Sequence, residues 1–198
     1  MAYLLLGPCY RLCERLVFGR TLDRARESFH KHLPPNVLIV GEGDGRHASK
    51  LTAGHQLWVL EKDATMRGLI AARCPNVRLL ASLPEVLPVE AVLFPFVLDC
   101  LSDHDLTALL QEIETSCPQA CTCIVTDFFP GATEGPRGWQ ALTKGLTWIM
   151  YRFFELAAGL TQPDLPNIEQ ALRRQGFELA EERTFWRGYI RSQLWKRR

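Results

Sequence analysis

Three glycines alternate with two acids in Gly41-Glu42-Gly43-Asp44-Gly45, directly after the apolar run Val37 to Val40. Glycine has no Cβ, so a backbone built this way turns tightly and can approach a ligand closely. Arg46 to Leu51 then reads as a helix start, whose free N–H groups favour polar or anionic ligands. Glu61 stands twenty residues after Gly41, at the end of the next apolar run, Leu57 to Leu60. A carboxylate there can accept both hydroxyls of a ribose. Strand, glycine turn, helix, strand and acid together point to a nucleoside-containing cofactor. The dinucleotide fingerprint needs a glycine at the sixth position, which is Arg46, so a nicotinamide or flavin site fails as written. No Gly-Lys-Ser/Thr follows, which excludes a P-loop.

Other polar residues are candidates for the chemistry itself. Asp127 closes the apolar run from Cys121 to Thr126 and can orient a hydroxyl or amine. His104 follows Asp103 at a helix start and could serve as a base. His47, in the first turn after the glycines, could touch a cofactor carboxylate. Tyr10 and Tyr151 could reach over a pocket from the N-terminal segment and from a late helix. Phe128, Phe129, Trp139, Trp148, Tyr151, Phe153 and Phe154 form a dense aromatic set. Helical spacing gives that stretch two apolar faces, one expected on the sheet and one under the N-terminal segment. Part of the set would be core and part the wall of an apolar pocket, with Arg137 and Arg152 available to an acidic substituent.

The elements that position these residues belong to a chain of 198 residues, 47% hydrophobic and 23% charged, which suits one well-packed domain. The net charge of +1 gives no support to a generally basic nucleic-acid binder. Leu79 to Pro136 holds nine acids and no Lys or Arg, whereas Arg183 to Arg198 holds six basic residues and no acid. An acidic middle beside a basic tail argues against one surface tracking phosphates. Seven cysteines, an odd number in a chain too large to need staples, fit a reducing cytoplasm. Neither Cys9 with Cys13 nor Cys121 with Cys123 has zinc-type partners, so no metal is expected. Met1 to Gly7 lacks the form of a signal peptide, and no run is long enough to span a bilayer. Leu4, Leu5, Leu6 and Phe18 leave room for weak peripheral membrane contact.

Along the chain, Tyr3 to Leu33 reads as helical with breaks at Gly7-Pro8 and Gly19, and Thr21 or Asp23 is a candidate cap. Short strands follow at Val37 to Val40, Leu57 to Leu60, Val77 to Leu80, Ala91 to Phe94 and Cys121 to Thr126. Helices are expected at Ala64 to Ala72, Asp103 to Ser116, Trp139 to Ala158 and Ile168 to Gln175, the last stopped by Gly176. Phe177 to Trp186 and Tyr189 to Trp195 read as a hairpin turning at Arg187-Gly188. Alternating strands and helices mean an α/β fold with a largely parallel sheet.

Val37-Leu38-Ile39-Val40-Gly41-Glu42-Gly43-Asp44-Gly45-Arg46 resembles the first motif of class I S-adenosylmethionine-dependent methyltransferases. The resemblance runs from Val37 to Trp195 and implies a Rossmann-like sheet in the order 3-2-1-4-5-7-6 with strand 7 antiparallel. It divides the chain into a helical N-terminal cap, residues 1–36, and a methyltransferase core, residues 37–198. The cap resembles that of small-molecule and lipid methyltransferases. By this match Gly41, Glu42, Gly43 and Gly45 line the methionine part of S-adenosylmethionine, Glu61 holds the ribose and Lys62 lies beside the adenine. Ser82 and Leu83 stand where an adenine-facing Asp is common. Phe94, Pro95 and Phe96 pass the methionyl end, with Leu98 beneath. Ile39 occupies a position where the family often has an acid that orders the glycine loop. The absence of Asn-Pro-Pro-Tyr after strand four, where Phe94-Pro95-Phe96-Val97 stands, turns the expectation from nucleic acid to a small, apolar or aromatic acceptor. Ile39 and the missing acid after strand three motivate the alternative of a methyltransferase-like, non-catalytic binding or scaffolding protein. A nicotinamide oxidoreductase is the alternative from a second enzyme class.

Overall fold

The computed structural model describes residues 17–130, 136–158 and 166–197, with the side chains of 150, 151 and 153–158 outside the description. Its centre is a seven-stranded sheet built from β1 (Asn36–Val40), β2 (Gln56–Leu60), β3 (Arg78–Leu80), β4 (Ala91–Pro95), β5 (Thr122–Phe128), β6 (Phe177–Phe185) and β7 (Ile190–Arg197). The order is β3-β2-β1-β4-β5-β7-β6. The first five strands are parallel, and β7 runs antiparallel to both β5 and β6. The fold is therefore the expected one. The carboxyl ends of all five parallel strands lie along one edge, where open α/β sheets hold their ligands.

Strand geometry explains why the middle strands are apolar on both faces along most of their length. Successive side chains point to opposite faces, and both faces are covered. Leu38, Val40, Val92, Phe94 and Val125 share one core with Leu106, Leu110 and Ile113 of α4 (Asp103–Ser116) and Leu172 of α6 (Ile168–Arg174). Val37, Ile39, Val59, Leu93 and Ile124 enter the other, with Phe29, Ala48 of α2 (Arg46–Ser49) and Ile70 of α3 (Ala64–Arg73). Ile39 is fully buried in that second core.

The N-terminal part is described from Val17 onward. Its helix α1 spans Thr21–Glu27 and is followed by a 3₁₀ turn at His30–His32. Neither Thr21 nor Asp23 caps α1. Arg20 precedes the helix without a side-chain cap, and the two expected caps fall inside the first turn. Phe18 is buried against Phe128, Trp186 and Tyr189, with ring centroids 5.6, 4.7 and 6.4 Å away. That packing removes Phe18 from any membrane contact. Tyr3, Leu4, Leu5, Leu6, Cys9, Tyr10 and Cys13 lie outside the described residues.

The remaining elements follow the sequence pattern with small shifts. Asp63 caps α3 by accepting from the N–H of Thr65 and Met66, and Ser102 caps α4 by accepting from Asp105. Gly176 adopts φ +77° after α6, as a C-terminal glycine should. The closing hairpin turns about the expected Arg187-Gly188, but over four residues, from Trp186 to Tyr189. Trp186 and Arg187 both have positive φ, 49° and 53°, ahead of Gly188 at 83°. Two bulky residues in the left-handed region are strained.

Candidate functional site

The glycine turn leaves β1 at the centre of the carboxyl edge. Gly41, Gly43 and Gly45 all have positive φ, at 71°, 73° and 84°. Close approach accounts for two of them. A Cβ on Gly41 would stand 2.6 Å from Val97 Cγ2, and one on Gly45 would stand 3.2 Å from the Ile70 backbone. Gly43 differs, because a Cβ there would meet nothing within 4 Å. Its surface is the open one, where a ligand can reach bare backbone.

The loop is ordered by the acid inside it. Glu42 is buried and accepts from the Ala48 N–H at 2.7 Å, while its other oxygen lies 3.3 Å from His47 Nδ1. This internal carboxylate does what an acid at the Ile39 position would have done. His47, expected at the cofactor's carboxylate, is instead buried between Glu42 and His30, with the two Nε2 atoms 2.8 Å apart. Burial first, and then the neighbouring His47, push the His30 pKa down to about 4. Asp44 forms ion pairs with Arg46 at 3.1 Å and Arg73 at 2.7 Å, and the Cys74 thiol donates to the Gly45 carbonyl. The turn is thus tied to both α2 and the end of α3.

Glu61 sits at the end of β2, half-buried, with one oxygen accepting from the Asp63 N–H at 2.9 Å. Burial raises its pKa above the usual carboxylate range. Gly41 N–H donates to the Leu60 carbonyl and Glu61 N–H to that of Leu80, so the three strand ends are laced together beside it. Lys62 and Ser82 are exposed, and Leu83 is half-buried against the first core.

The three residues expected at the methionyl end differ in burial. Phe94 is 1% exposed and packs in the first core, and Pro95, the last residue of β4, is buried too. Phe96 stands just beyond the strand. It is half-buried with φ +60°, its ring is 4.9 Å from that of Phe128, and the Arg26 guanidinium lies 4.7 Å over it. Leu98 is buried in the first core.

Asp127 is fully buried near the end of β5. One oxygen accepts from the N–H of Leu98 at 3.0 Å and of Asp99 at 3.2 Å, and the other from Phe128 at 3.0 Å. Its carboxyl meets that of Asp99, which is 4% exposed. Burial raises both pKa values, and like-charge repulsion adds to the rise at Asp127. Beside them Tyr189 bonds Thr147 at 2.9 Å, and burial lifts its pKa to about 12. The sequence reading missed Asp99. Its signal was available: β4 and β5 are neighbours in register, and each is followed or ended by an acid.

His104 does not join this cluster. Its side chain is 91% exposed on α4, 3.5 Å from Asp105, whereas Asp127 and Asp99 are buried. Tyr151 lies in α5 (Arg137–Ala158), its side chain outside the description. The inner face of α5 carries Trp139, 5.6 Å from the Trp186 ring, and buried Thr143. Trp148, expected to pack, is 63% exposed. Among the described residues no group of three His, Cys, Asp or Glu could hold a metal ion, and no helix is long and apolar enough to cross a membrane.

No protein-family model and no curated protein matches the chain. Solved structures do match, at low identity. A TehB-like SAM-dependent methyltransferase from Corynebacterium glutamicum is 12% identical, with a TM-score of 0.65 over 97% of each chain. The magnesium protoporphyrin IX methyltransferase of Synechocystis, solved with bound SAH, is 17% identical, with a TM-score of 0.62 over 90% of this chain and 82% of that one. A Burkholderia thailandensis 1,6-didemethyltoxoflavin-N1-methyltransferase is 16% identical, with a TM-score of 0.60 over 89% and 77%.

Proposed function

We infer from the class I S-adenosylmethionine-dependent methyltransferase fold of this chain that it transfers a methyl group from S-adenosylmethionine to a small, apolar or aromatic acceptor. One observation carries the reading. The left-handed turn with an open Gly43 surface lies on the same sheet edge as the half-buried Glu61, a cradle that side chains would fill and a carboxylate for a ribose. These residues fit the cofactor. Gly41, Gly43 and Gly45 would give backbone to its methionine part, and Glu61 would accept from the ribose hydroxyls. When bound, the cofactor supplies an electrophilic methyl group.

The chain's own contribution is position and exclusion of water. Phe96, Phe128, Trp186 and Phe18 give the acceptor end an aromatic lining, with Tyr10 and Tyr151 as candidates to close over it from the cap and from α5. Asp127 holds the turn at Leu98 and Asp99 through two N–H bonds, which places the Asp99 carboxyl beside it. Asp127, with the Asp99 carboxyl beside it, is the candidate to orient an acceptor hydroxyl or amine. Two of the similar structures bear the names of methyltransferases for magnesium protoporphyrin IX and 1,6-didemethyltoxoflavin, which supports a flat ring as acceptor. The described cysteines are free, which supports a reducing, cytoplasmic setting.

The test is calorimetric titration with S-adenosylmethionine, its demethylated product and NAD, followed by a labelled-methyl screen. Micromolar binding of the first two, none of NAD, and labelling of small apolar acceptors are expected. Cofactor binding without transfer to any acceptor class favours the scaffolding alternative. NAD binding favours the oxidoreductase. Labelling of RNA or protein alone overturns the acceptor class.

A further inference from the structure

Helix α5 turns two different faces to its surroundings. The inner face is fixed by Thr143, fully buried, and by the Thr147 hydroxyl, which bonds that of Tyr189. The opposite face carries Leu142, Trp148 and Ile149, which are 50%, 63% and 59% exposed. Single exposed apolar residues are ordinary, but three large ones within two turns of one helix form a patch. Cations accompany it. Lys144 and Arg152 are exposed on the same helix, and the Arg152 guanidinium lies 5.8 Å from the Trp148 ring. Over its length, Arg137–Ala158, the helix carries three cations, Arg137, Lys144 and Arg152, against one acid, Glu155. At the start of the helix, Arg187 of the closing hairpin lies over Trp139 at 5.4 Å.

We propose that the outer face of α5 docks on an anionic lipid surface. Leu142, Trp148 and Ile149 would enter the boundary between headgroups and acyl chains, while Lys144 and Arg152 pair with lipid phosphates. The combination of an apolar face, a tryptophan and flanking cations is that of a helix lying in a bilayer interface. Charge decides the occupant. A second copy of this chain would bring the same cations against themselves, whereas an anionic bilayer neutralises them. The helix is too polar to insert across a membrane, so the contact is peripheral and reversible. Because the inner face of α5 borders the aromatic end of the sheet edge, docking would set that end against the bilayer surface.

The surface stands apart from the methyl-transfer reading, and its test needs no turnover. The full chain is sedimented with vesicles of phosphatidylcholine alone and of phosphatidylcholine with phosphatidylglycerol, at low and high salt. Binding is expected only with phosphatidylglycerol and should weaken with salt. Ile149→Glu should reduce partitioning at least tenfold, and Lys144→Gln about fivefold. Both variants should keep the wild-type melting temperature, which separates lost docking from lost folding. Absence of binding to anionic vesicles overturns the proposal, as does equal binding to both vesicle types without salt dependence. A concentration-dependent dimer that Ile149→Glu dissolves, with no vesicle binding, also overturns it and assigns the face to self-association.

Discussion

The two halves of the ligand edge are held in place by different forces. Around Gly41 to Gly45, nearly every constraint is polar: Glu42 to Ala48 and His47, Asp44 to Arg46 and Arg73, Cys74 to Gly45. Around Phe96 and Phe128 the constraints are aromatic packing and one acid pair buried beneath it. Backbone strain differs as well. The first half places glycines wherever φ is positive, while the second forces Phe96, Trp186 and Arg187 into the same region. A glycine turn offers a ligand the same backbone whatever its substituents. A wall of strained aromatics is shaped by side chains and suits one acceptor shape. The cofactor half is generic, and the acceptor half is particular.

Substitution at the glycines probes that contrast most strongly. Gly41→Ala would set a Cβ 2.6 Å from Val97 at φ +71°, and a loss of about 3 kcal/mol or more is expected in chemical denaturation. Gly43→Ala meets no neighbour and should lose only about 1–2 kcal/mol from its φ, while weakening cofactor binding more than stability. Equal stability losses at the two positions would break the distinction between a packed and an open glycine.

Next comes the acid pair. Asp127→Ala strands the N–H groups of Leu98, Asp99 and Phe128 and should cost about 3 kcal/mol. In the wild type the pair's raised pKa values make its contribution full below the ordinary carboxylate pKa. That contribution is lost as pH rises through the raised value, because the unfolded chain releases the proton first. Asp99→Asn should flatten this part of the stability profile. An unchanged slope would show that the titration of the pair is not linked to folding.

At Glu61 the effect belongs to binding alone. Glu61→Ala should weaken S-adenosylmethionine by about ten- to hundredfold at unchanged stability, read by titration. A fall in melting temperature with unaltered affinity would make Glu61 a structural residue of the β2 end.

The smallest effect is expected at His30. Its pKa, pushed down from 6.5 to about 4, stabilises the fold above the unfolded value and loses that contribution as pH falls between the two. His30→Gln should remove about 1 kcal/mol of that acid sensitivity, the histidine being half-exposed. Identical acid profiles would show that His47 is held by Glu42 without help from His30.

The same division governs what the sequence discloses. Hydrophobic runs made the strands readable, because β1, β2, β4 and β5 are buried on both faces, whereas their order came only from the resemblance carried by the glycine motif. The glycine turn was legible for the same reason: Gly41 and Gly45 are glycine because Val97 and Ile70 leave no room. The mechanism of its ordering was not. Glu42 acts through a buried contact six residues away, which no strand pattern announces. The resemblance places both Phe94 and Phe96 at the methionyl end, and what separates them is not the pleat but the end of β4 at Pro95: Phe94 packs in the first core, while Phe96 lies beyond the strand with φ +60°. Trp148 looked like core from its type, and only the contacts of Thr143 and Thr147 reveal which side of α5 faces inward. Asp99 needed the pairing of β4 with β5 before its partner could be seen.

The place of β7 in the sheet order has a consequence for synthesis. It lies between β5 and β6 and supplies β5's outer partner from Ile190 to Lys196. Until those residues leave the ribosome, β5 remains an open edge, its Ile124 and Val125 side chains flanked by unpaired backbone groups. A nascent chain stalled before β7 is therefore a template for strand addition by other nascent chains. The basic residues of β6 and β7, Arg183, Arg191, Lys196 and Arg197, arrive together with the strand that ends this exposure, placing charge on the segment that covers β5.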